Sequence, residues 1–332
     1  MKFYSLNQLP LYTNDFFIRW LDDIQARDTI VVFNPMDAEI VTPVLLRSRK
    51  SLKEHIDYIQ EKHIKKAIVV AEDIAFIREC PELEYLWILP AISAENFDFS
   101  PIYDLPNLKW LQCETMYGLG AMYENTEKVK ISSVDYQHFP KLKKLQIKGA
   151  KGHENVHAAN SVESLLLSFG FPSAKTLSGF LPGASLKSLD LSQSPVESLD
   201  GIEIAGQLQR LELAYNRRLT DISALRTVKD TLAYLSIEKC GKITDFSVLR
   251  ELSNLQFLTL KGSNVLKDLS FLEGLPKLRN FHLTMNVEDG DLSRCCSIPF
   301  VKVQNRKHYT HKDIDFAKDF TNPDDVLPID ID

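Results

Sequence analysis

Between Leu232 and Leu283 the apolar residues fall into one phrase written three times: Leu232-x-x-Leu235-x-Ile237, Leu255-x-x-Leu258-x-Leu260 and Leu278-x-x-Phe281-x-Leu283. The copies begin 23 residues apart on both occasions. The last two apolar residues of each phrase stand two apart, which puts them on one face of a short strand. A lone strand cannot bury that face. Strands stacked copy upon copy bury a continuous apolar seam, and a fixed period in the twenties predicts a solenoid. A second phrase recurs between the strands, Asp245-Phe246-Ser247-Val248-Leu249 and Asp268-Leu269-Ser270-Phe271-Leu272. Its Asp is placed to accept backbone N–H groups at the head of a short helical turn, and the apolar residues behind it direct that turn into the core.

The pattern extends well beyond these copies. Glu72 to Leu83 aligns without a gap on Lys267 to Leu278, which makes Ile64–Val69 the strand before it. Phrases beginning at Ile64, Leu83, Leu108, Leu142, Val162, Leu186, Leu208, Leu232, Leu255, Leu278 and Ile298 give eleven rungs across residues 64–305. The longest interval, 34 residues between Leu108 and Leu142, marks an insertion over 115–138, and insertions in such arrays map to loops on one face. Residues 1–63 lack the phrase and are expected to form an α/β cap over the open end. In that cap, Asp15–Ala26 carries Phe16, Phe17, Trp20, Leu21 and Ile24 on one helical stripe. Thr29–Phe33 reads as a strand and Ile40–Leu46 as a second, interrupted by Pro43. Ser51-Leu52-Lys53-Glu54 opens a helix that runs to about Lys62. Residues 306–332 form the other end, with a capping helix expected over Thr310–Phe320 and an acidic tail after it.

The phrases resemble those of leucine-rich repeat proteins with short, internalin-like or SDS22-like repeats. That resemblance implies a curved solenoid with a parallel sheet on its concave side and 3₁₀ or short helical turns on its convex side. It also implies protein binding through the concave sheet. The ninth position of such repeats is normally Asn or Cys, hydrogen-bonded from rung to rung. Asn216, Cys240 and Asn286 fit, Ser194 and Ser263 can substitute, and Ala150 and Gly170 depart from the pattern.

Residues at the third, fifth and seventh places of each phrase alternate away from the seam and line the face open to a partner. The early rungs supply Ile68, Val70, Tyr85, Trp87, Leu89 and Trp110. The later ones supply Arg210, Glu212, Tyr234, Glu238, Phe257 and His282. Trp, Tyr and Arg dominate protein hot spots, so Tyr85, Trp87, Trp110, Arg210, Glu212, Tyr234, Glu238, Phe257 and His282 are the candidate partner-binding residues. The bland alternative places the three early aromatics beneath the N-terminal cap or the insertion, and the later set on an ordinary solvated face.

Composition narrows the class. The 332 residues are 44% hydrophobic and 25% charged, with no apolar run long enough to span a bilayer. A net charge of −6 argues against nucleic acid as the main partner, despite the local cluster Lys141, Lys143, Lys144, Lys148 and Lys151. Five cysteines without framework spacing, and an N-terminus without a secretory pattern, suggest reduced thiols in the cytoplasm. No phosphate loop, nucleophile elbow or zinc-protease helix occurs. His308-x-x-His311 beside Asp313 and Asp315 reads as a solvated tail rather than a metal site, and Cys295-Cys296 as packing residues or free thiols rather than catalytic ones. The sequence therefore predicts a protein-binding module, monomeric when unbound, without cofactor, metal or catalytic residues. It would act as an inhibitor of the immunity type or as a regulatory scaffold. The alternative is an enzyme or ligand-binding protein using a site between the N-terminal cap and Trp87 or Trp110.

Overall fold

In the computed structural model the described residues are 11–12, 17–19, 25–34, 51–90, 94, 96–114, 130–149 and 151–328. The chain divides into two units, Met1–Glu154 and Asn155–Asp332.

In the first unit, β1 (Leu11–Tyr12), β2 (Phe17–Arg19) and β3 (Gln25–Asn34) pair antiparallel in turn, and β3 then pairs parallel with β4 (Lys66–Ala71). The strands β5 (Tyr85–Pro90), β7 (Trp110–Glu114) and β10 (Lys144–Lys148) continue the parallel ladder from β4. On the return side, β6 (Asn96–Phe97) pairs with β8 (Lys130–Ile131), and β9 (Val134–Asp135) with β11 (His153–Glu154). Before β4 lies α1 (Leu52–Glu61), opened by the expected capping box. Ser51 Oγ accepts from the Glu54 amide at 3.2 Å, and a Glu54 carboxylate oxygen accepts from the Ser51 amide at 2.8 Å.

In the second unit, β12 (Ser164–Ser168), β13 (Ser188–Ser192), β14 (Arg210–Ala214), β15 (Tyr234–Glu238), β16 (Phe257–Lys261), β18 (Asn280–Leu283) and β20 (Phe300–Val303) form one parallel ladder. On the return side β17 (Val265–Leu266) pairs with β19 (Asn286–Val287). Leu189, Leu211, Leu235, Leu258, Phe281 and Val301 are register partners in that order, and all are buried, so the seam predicted from the phrases is continuous through this unit. Each of the eleven rung strands begins two residues after its predicted first position, from Lys66 after Ile64 to Phe300 after Ile298.

The return turns are 3₁₀, as expected. Seven of them open on an Asp whose carboxylate accepts the amide two residues on: Asp73, Asp98, Asp135, Asp221, Asp245, Asp268 and Asp291, at 2.7–3.1 Å. The buried pairs Phe76 and Ile77, and Phe271 and Leu272, occupy equivalent places, in keeping with the ungapped alignment of Glu72–Leu83 on Lys267–Leu278. Four strand ends carry a non-glycine residue in the left-handed region: Phe169, Gln193, Tyr215 and Lys239. The amide of each extends the ladder by one more bond, to the carbonyls of Ser192, Ala214, Glu238 and Lys261, and the chain turns away after it.

Three expectations fail. The helix over Asp15–Ala26 is not formed: its described residues are strand in β2 and the start of β3. Pairing along a β3 ladder that continues into the repeats satisfies those backbone groups, and it overrides a helical stripe that local spacing alone suggested. Nor is there a helix over Thr310–Phe320. Only Asp313–Asp315 makes a 3₁₀ turn, Ile314 is 87% exposed, and the segment after it runs antiparallel along β20. The amide of Val301 donates to Ala317 O at 3.2 Å and that of Asp319 to Pro299 O at 3.0 Å, so the free edge of β20 claims the backbone that a helix would have used internally. A four-residue helix, α2 (Pro323–Val326), follows. Within the insertion, Val134–His138 belongs to the body of the repeat, since Tyr136 is fully buried, while 115–129 lie outside the described residues. So do the proposed strand at Ile40–Leu46, the aromatic residues Phe16 and Trp20, and the last four residues.

The rung-to-rung ladder also differs in detail. Asn216 is buried and bridges two turns: its Nδ2 donates to Leu191 O at 2.8 Å and its Oδ1 accepts from the Ser194 amide at 2.9 Å. Cys240 Sγ points at Leu213 O, 3.7 Å away. One rung later the work falls to Asn264 rather than Ser263, with Nδ2 donating to Cys240 O and Ile243 O. At Asn286 the buried neighbour is Met285, whose carbonyl accepts from the Tyr309 hydroxyl at 3.2 Å.

Candidate functional site

In the second unit the parallel register sorts the face away from the leucine seam into columns. The first holds Arg210, Tyr234, Phe257, Asn280 and Phe300, each the register partner of the next. The second runs Asp190, Glu212, Ser236, Thr259, His282, Lys302. The second column is therefore acidic at one end and basic at the other. Glu238 and Lys261 are register partners in a third column.

The electrostatics follow from burial and spacing. Asp190 lies opposite Glu212, and burial together with the Glu212 charge pushes its carboxyl up to about 7. At the other end, burial and the charges of Lys261 and Lys302 push His282 down to about 4, so its ring is neutral near pH 7. The Tyr234 hydroxyl is pushed up to about 12, by burial first and then by Glu212. Arg210 stacks over the Tyr234 ring at 4.8 Å, and the Tyr234 and Phe257 rings lie 6.1 Å apart. Arg210, Glu212, Tyr234, Glu238 and His282 are half-buried, whereas Phe257 is only 2% exposed.

The reason the first column is so covered was not legible in the sequence. After pairing with β20, the chain turns back across the sheet. The Phe320 ring meets Phe300 edge-on at 5.1 Å. The Asn280 side chain grips the backbone of Thr321 on both sides: Nδ2 donates to its carbonyl at 2.7 Å, and Oδ1 accepts its amide at 3.4 Å. Asp324 then reaches Arg210 at 2.6 Å. Thr321 and Asp324 thus stand at either end of the stretch of sheet that contains Phe257 and Tyr234. The only signal for this in the sequence is a run from Asp319 to Asp332 with five carboxylates and no Lys or Arg.

In the first unit, Lys66, Tyr85, Trp110 and Lys144 form one register row. Lys66 sits over Tyr85 at 4.9 Å, Lys144 over Trp110 at 5.5 Å and Lys148 over Trp87 at 5.6 Å, while Tyr85 and Trp110 meet edge-on at 6.4 Å. Two lysines of the expected solvated cluster thus cover aromatic faces, and burial pushes Lys144 down. Ile68, Val70 and Leu89 on the same face are buried, so these early rungs do not present the open apolar surface the alternation suggested. Tyr85, Trp87 and Trp110 are half-buried, with Lys66, Lys144 and Lys148 over their rings.

Other chemistry-bearing groups are held in place by the fold. Tyr136 and His153 form a buried pair at 2.9 Å, and burial pushes His153 down to about 3. His308 points at Val287 O, His311 at the Thr310 hydroxyl, and Asp313 accepts from the Val303 amide. No group of three or more potential metal ligands occurs among the described residues. None of the five cysteines is in a disulfide. Burial pushes Cys80 and Cys240 up to about 11 and Cys295 up to about 12. An open depression of about 480 Å³ at the strand ends is lined by Gln193, Tyr215, Arg217 and Arg218 among others. Among the described residues no helix is long and apolar enough to cross a membrane.

No protein-family model matches the chain, and no curated protein matches it in sequence. Solved structures do match its fold. An internalin from Listeria monocytogenes superposes with a TM-score of 0.50 at 16% identity, over 78% of this chain and 81% of that one. The functional domain of InlJ from the same organism, described as including a cysteine ladder, matches with a TM-score of 0.48 at 18% identity, over 75% of this chain and 49% of that one. An internalin C2, also from Listeria monocytogenes, matches with a TM-score of 0.40 at 20% identity, over 68% of this chain and 83% of that one.

Proposed function

Taking the chain as a leucine-rich-repeat solenoid, we propose that it is a non-catalytic protein-binding module whose contact surface is the open face of the second unit. The observation that carries this reading is the ordered second column, with the Glu212 carboxylate toward one end and the Lys302 ammonium at the other, beside an aromatic column. Complementary charge at both ends fixes register and orientation on a protein surface, and half-buried Arg and Tyr supply anchors between them. An open sheet face suits a folded protein better than a small molecule, which favours an enclosed and mostly apolar cavity. Thiols rather than disulfides at all five cysteines are in keeping with a reducing, cytoplasmic setting.

Two finer forms share this surface. An inhibitor of the immunity type silences the protein it holds, whereas a regulatory scaffold leaves its partner active. Assaying the captured partner's own activity, bound and free, separates them. The surface itself is tested with the double variant Glu212→Lys/Lys302→Glu. A partner retained from host lysate by the unaltered chain is expected to bind the variant at least tenfold more weakly. Equal affinity would place the contact elsewhere.

A further inference from the structure

We propose that the first column, Arg210, Tyr234, Phe257, Asn280 and Phe300, is a docking row for an extended acidic segment of a protein partner, and that the chain's own residues 320–326 fill it in the unbound protein. This deepens the reading above and rests on it.

Three observations support the row. First, its chemistry is that of a peptide site. Phe300 takes an aromatic side chain, Asn280 grips the two peptide groups flanking one residue, accepting from its N–H and donating to its C=O, and Arg210 takes a carboxylate. The side chains are matched to backbone and to two anchors, Phe320 and Asp324, spaced four residues apart. Second, the anchoring is tertiary and specific. The Arg210 guanidinium lies over the Tyr234 ring at 4.8 Å, and its side chain is only 17% exposed, while its ionic partner Asp324 is 74% exposed. With the tail in place, the cation is held against an aromatic ring while its anionic partner stays largely in solvent. Third, the fit is incomplete. Asp324 meets Arg210 through one terminal nitrogen, and Arg210 Nε is buried with no hydrogen-bond partner among the described residues. A buried donor without an acceptor is costly, and a carboxylate spanning Nε and a terminal nitrogen in the two-point geometry guanidinium favours would satisfy it.

A tethered occupant competes at an effective concentration on the order of millimolar, so even a weak internal fit suppresses weak outside ligands. A partner segment carrying an aromatic residue and, four positions on, a carboxylate that engages Arg210 at two points displaces the tail and gains the bond the tail leaves unmade. Partners without that pairing are excluded. The occupant's own charge agrees with the choice, since residues 320–326 carry Asp324 and Asp325 and no Lys or Arg.

The test uses the full chain and a fluorescent synthetic peptide of residues 316–328. Anisotropy is measured with the unaltered chain and with Phe320→Ala/Asp324→Lys, which loosens the tail without touching the row. The peptide is expected to bind the loosened chain at least tenfold more tightly than the unaltered one. Adding Arg210→Glu to the loosened chain is expected to reverse that gain, as is changing Asp324 to Asn in the peptide. Equal binding to both chains, or binding indifferent to Arg210, overturns the proposal. Should the loosened chain not fold, hydrogen exchange on the unaltered chain reads the same event. Saturating peptide is expected to speed exchange at the chain's own amides from Asp324 to Leu327 at least tenfold, and unchanged exchange overturns the proposal. If the peptide fails while partner retention still depends on Glu212 and Lys302, the row is lost and the binding face survives.

Discussion

Asp190 is a residue whose environment works against its charge. The strand register sets its carboxyl beside that of Glu212, and the pair shares a half-buried surface. In the unfolded chain an Asp titrates near 3.9, while here the group is held up at about 7. The folded state therefore keeps a proton that the unfolded state gives up between those values. That contribution to stability is complete below about pH 4 and is lost as pH rises through 7. Replacing the carboxyl by an amide, Asp190→Asn, removes the liability. We expect a gain of roughly 1–3 kcal/mol at pH 8, shrinking to nothing near pH 4. Urea midpoints at pH 4, 6 and 8 check this, and a gain independent of pH would contradict the assignment. Nothing in the sequence around Asp190 announces the effect, because Glu212 comes 22 residues later and meets it only through the register.

At the scale of elements, the sequence is legible wherever the repeat itself dictates the backbone. Every predicted rung start is followed two residues later by a strand, because Leu, Ile and Val at alternate positions have only one seam to join. The Asp before each return turn is equally readable, since its role is local: it accepts an amide two residues away. The elements that were misread, Asp15–Ala26 and Thr310–Phe320, sit outside the repeat. There, apolar residues three or four apart satisfy a helical template, while the partners that decide the outcome, β3 and the edge of β20, are distant in sequence. The docking row was half legible. Arg210, Tyr234 and Phe257 follow from alternation, but the segment that covers them has no period to betray it.

Turn packing supplies a test at this same scale. Gly274 ends the turn Ser270–Gly274, and a Cβ there would stand 1.9 Å from the carbonyl oxygen of Arg250 in the preceding turn. Backbone cannot yield as a flexible side chain can. Gly274→Ala is expected to push two return turns apart and lower stability by about 1–3 kcal/mol. A shift in urea midpoint well below that range would mean the turns are looser than their contact suggests.

For the molecule as a whole, stability in each unit is a sum over neighbouring rungs. Leu258 touches both sides of that sum, with Leu235 and Phe281 as register partners. Leu258→Ala is expected to remove about 2–5 kcal/mol. The loss should spread, with amide protection falling in β15 and β18 as well as β16, and far less in β12. Protection lost from β16 alone would argue against nearest-neighbour coupling.

The hydrogen bonds from Val301 to Ala317 and from Asp319 to Pro299 have a further consequence. They occupy the outer margin of the last strand, which would otherwise offer free donors and acceptors to any second chain. The segment that closes this margin and the segment that lies across the face are consecutive. A partner that lifts residues 320–326 must therefore stop peeling at Asp319. Were it to strip the remaining few residues, it would trade a regulated encounter for end-to-end polymerisation. The two anchors Ala317 and Asp319 set the limit to which the tail can safely open.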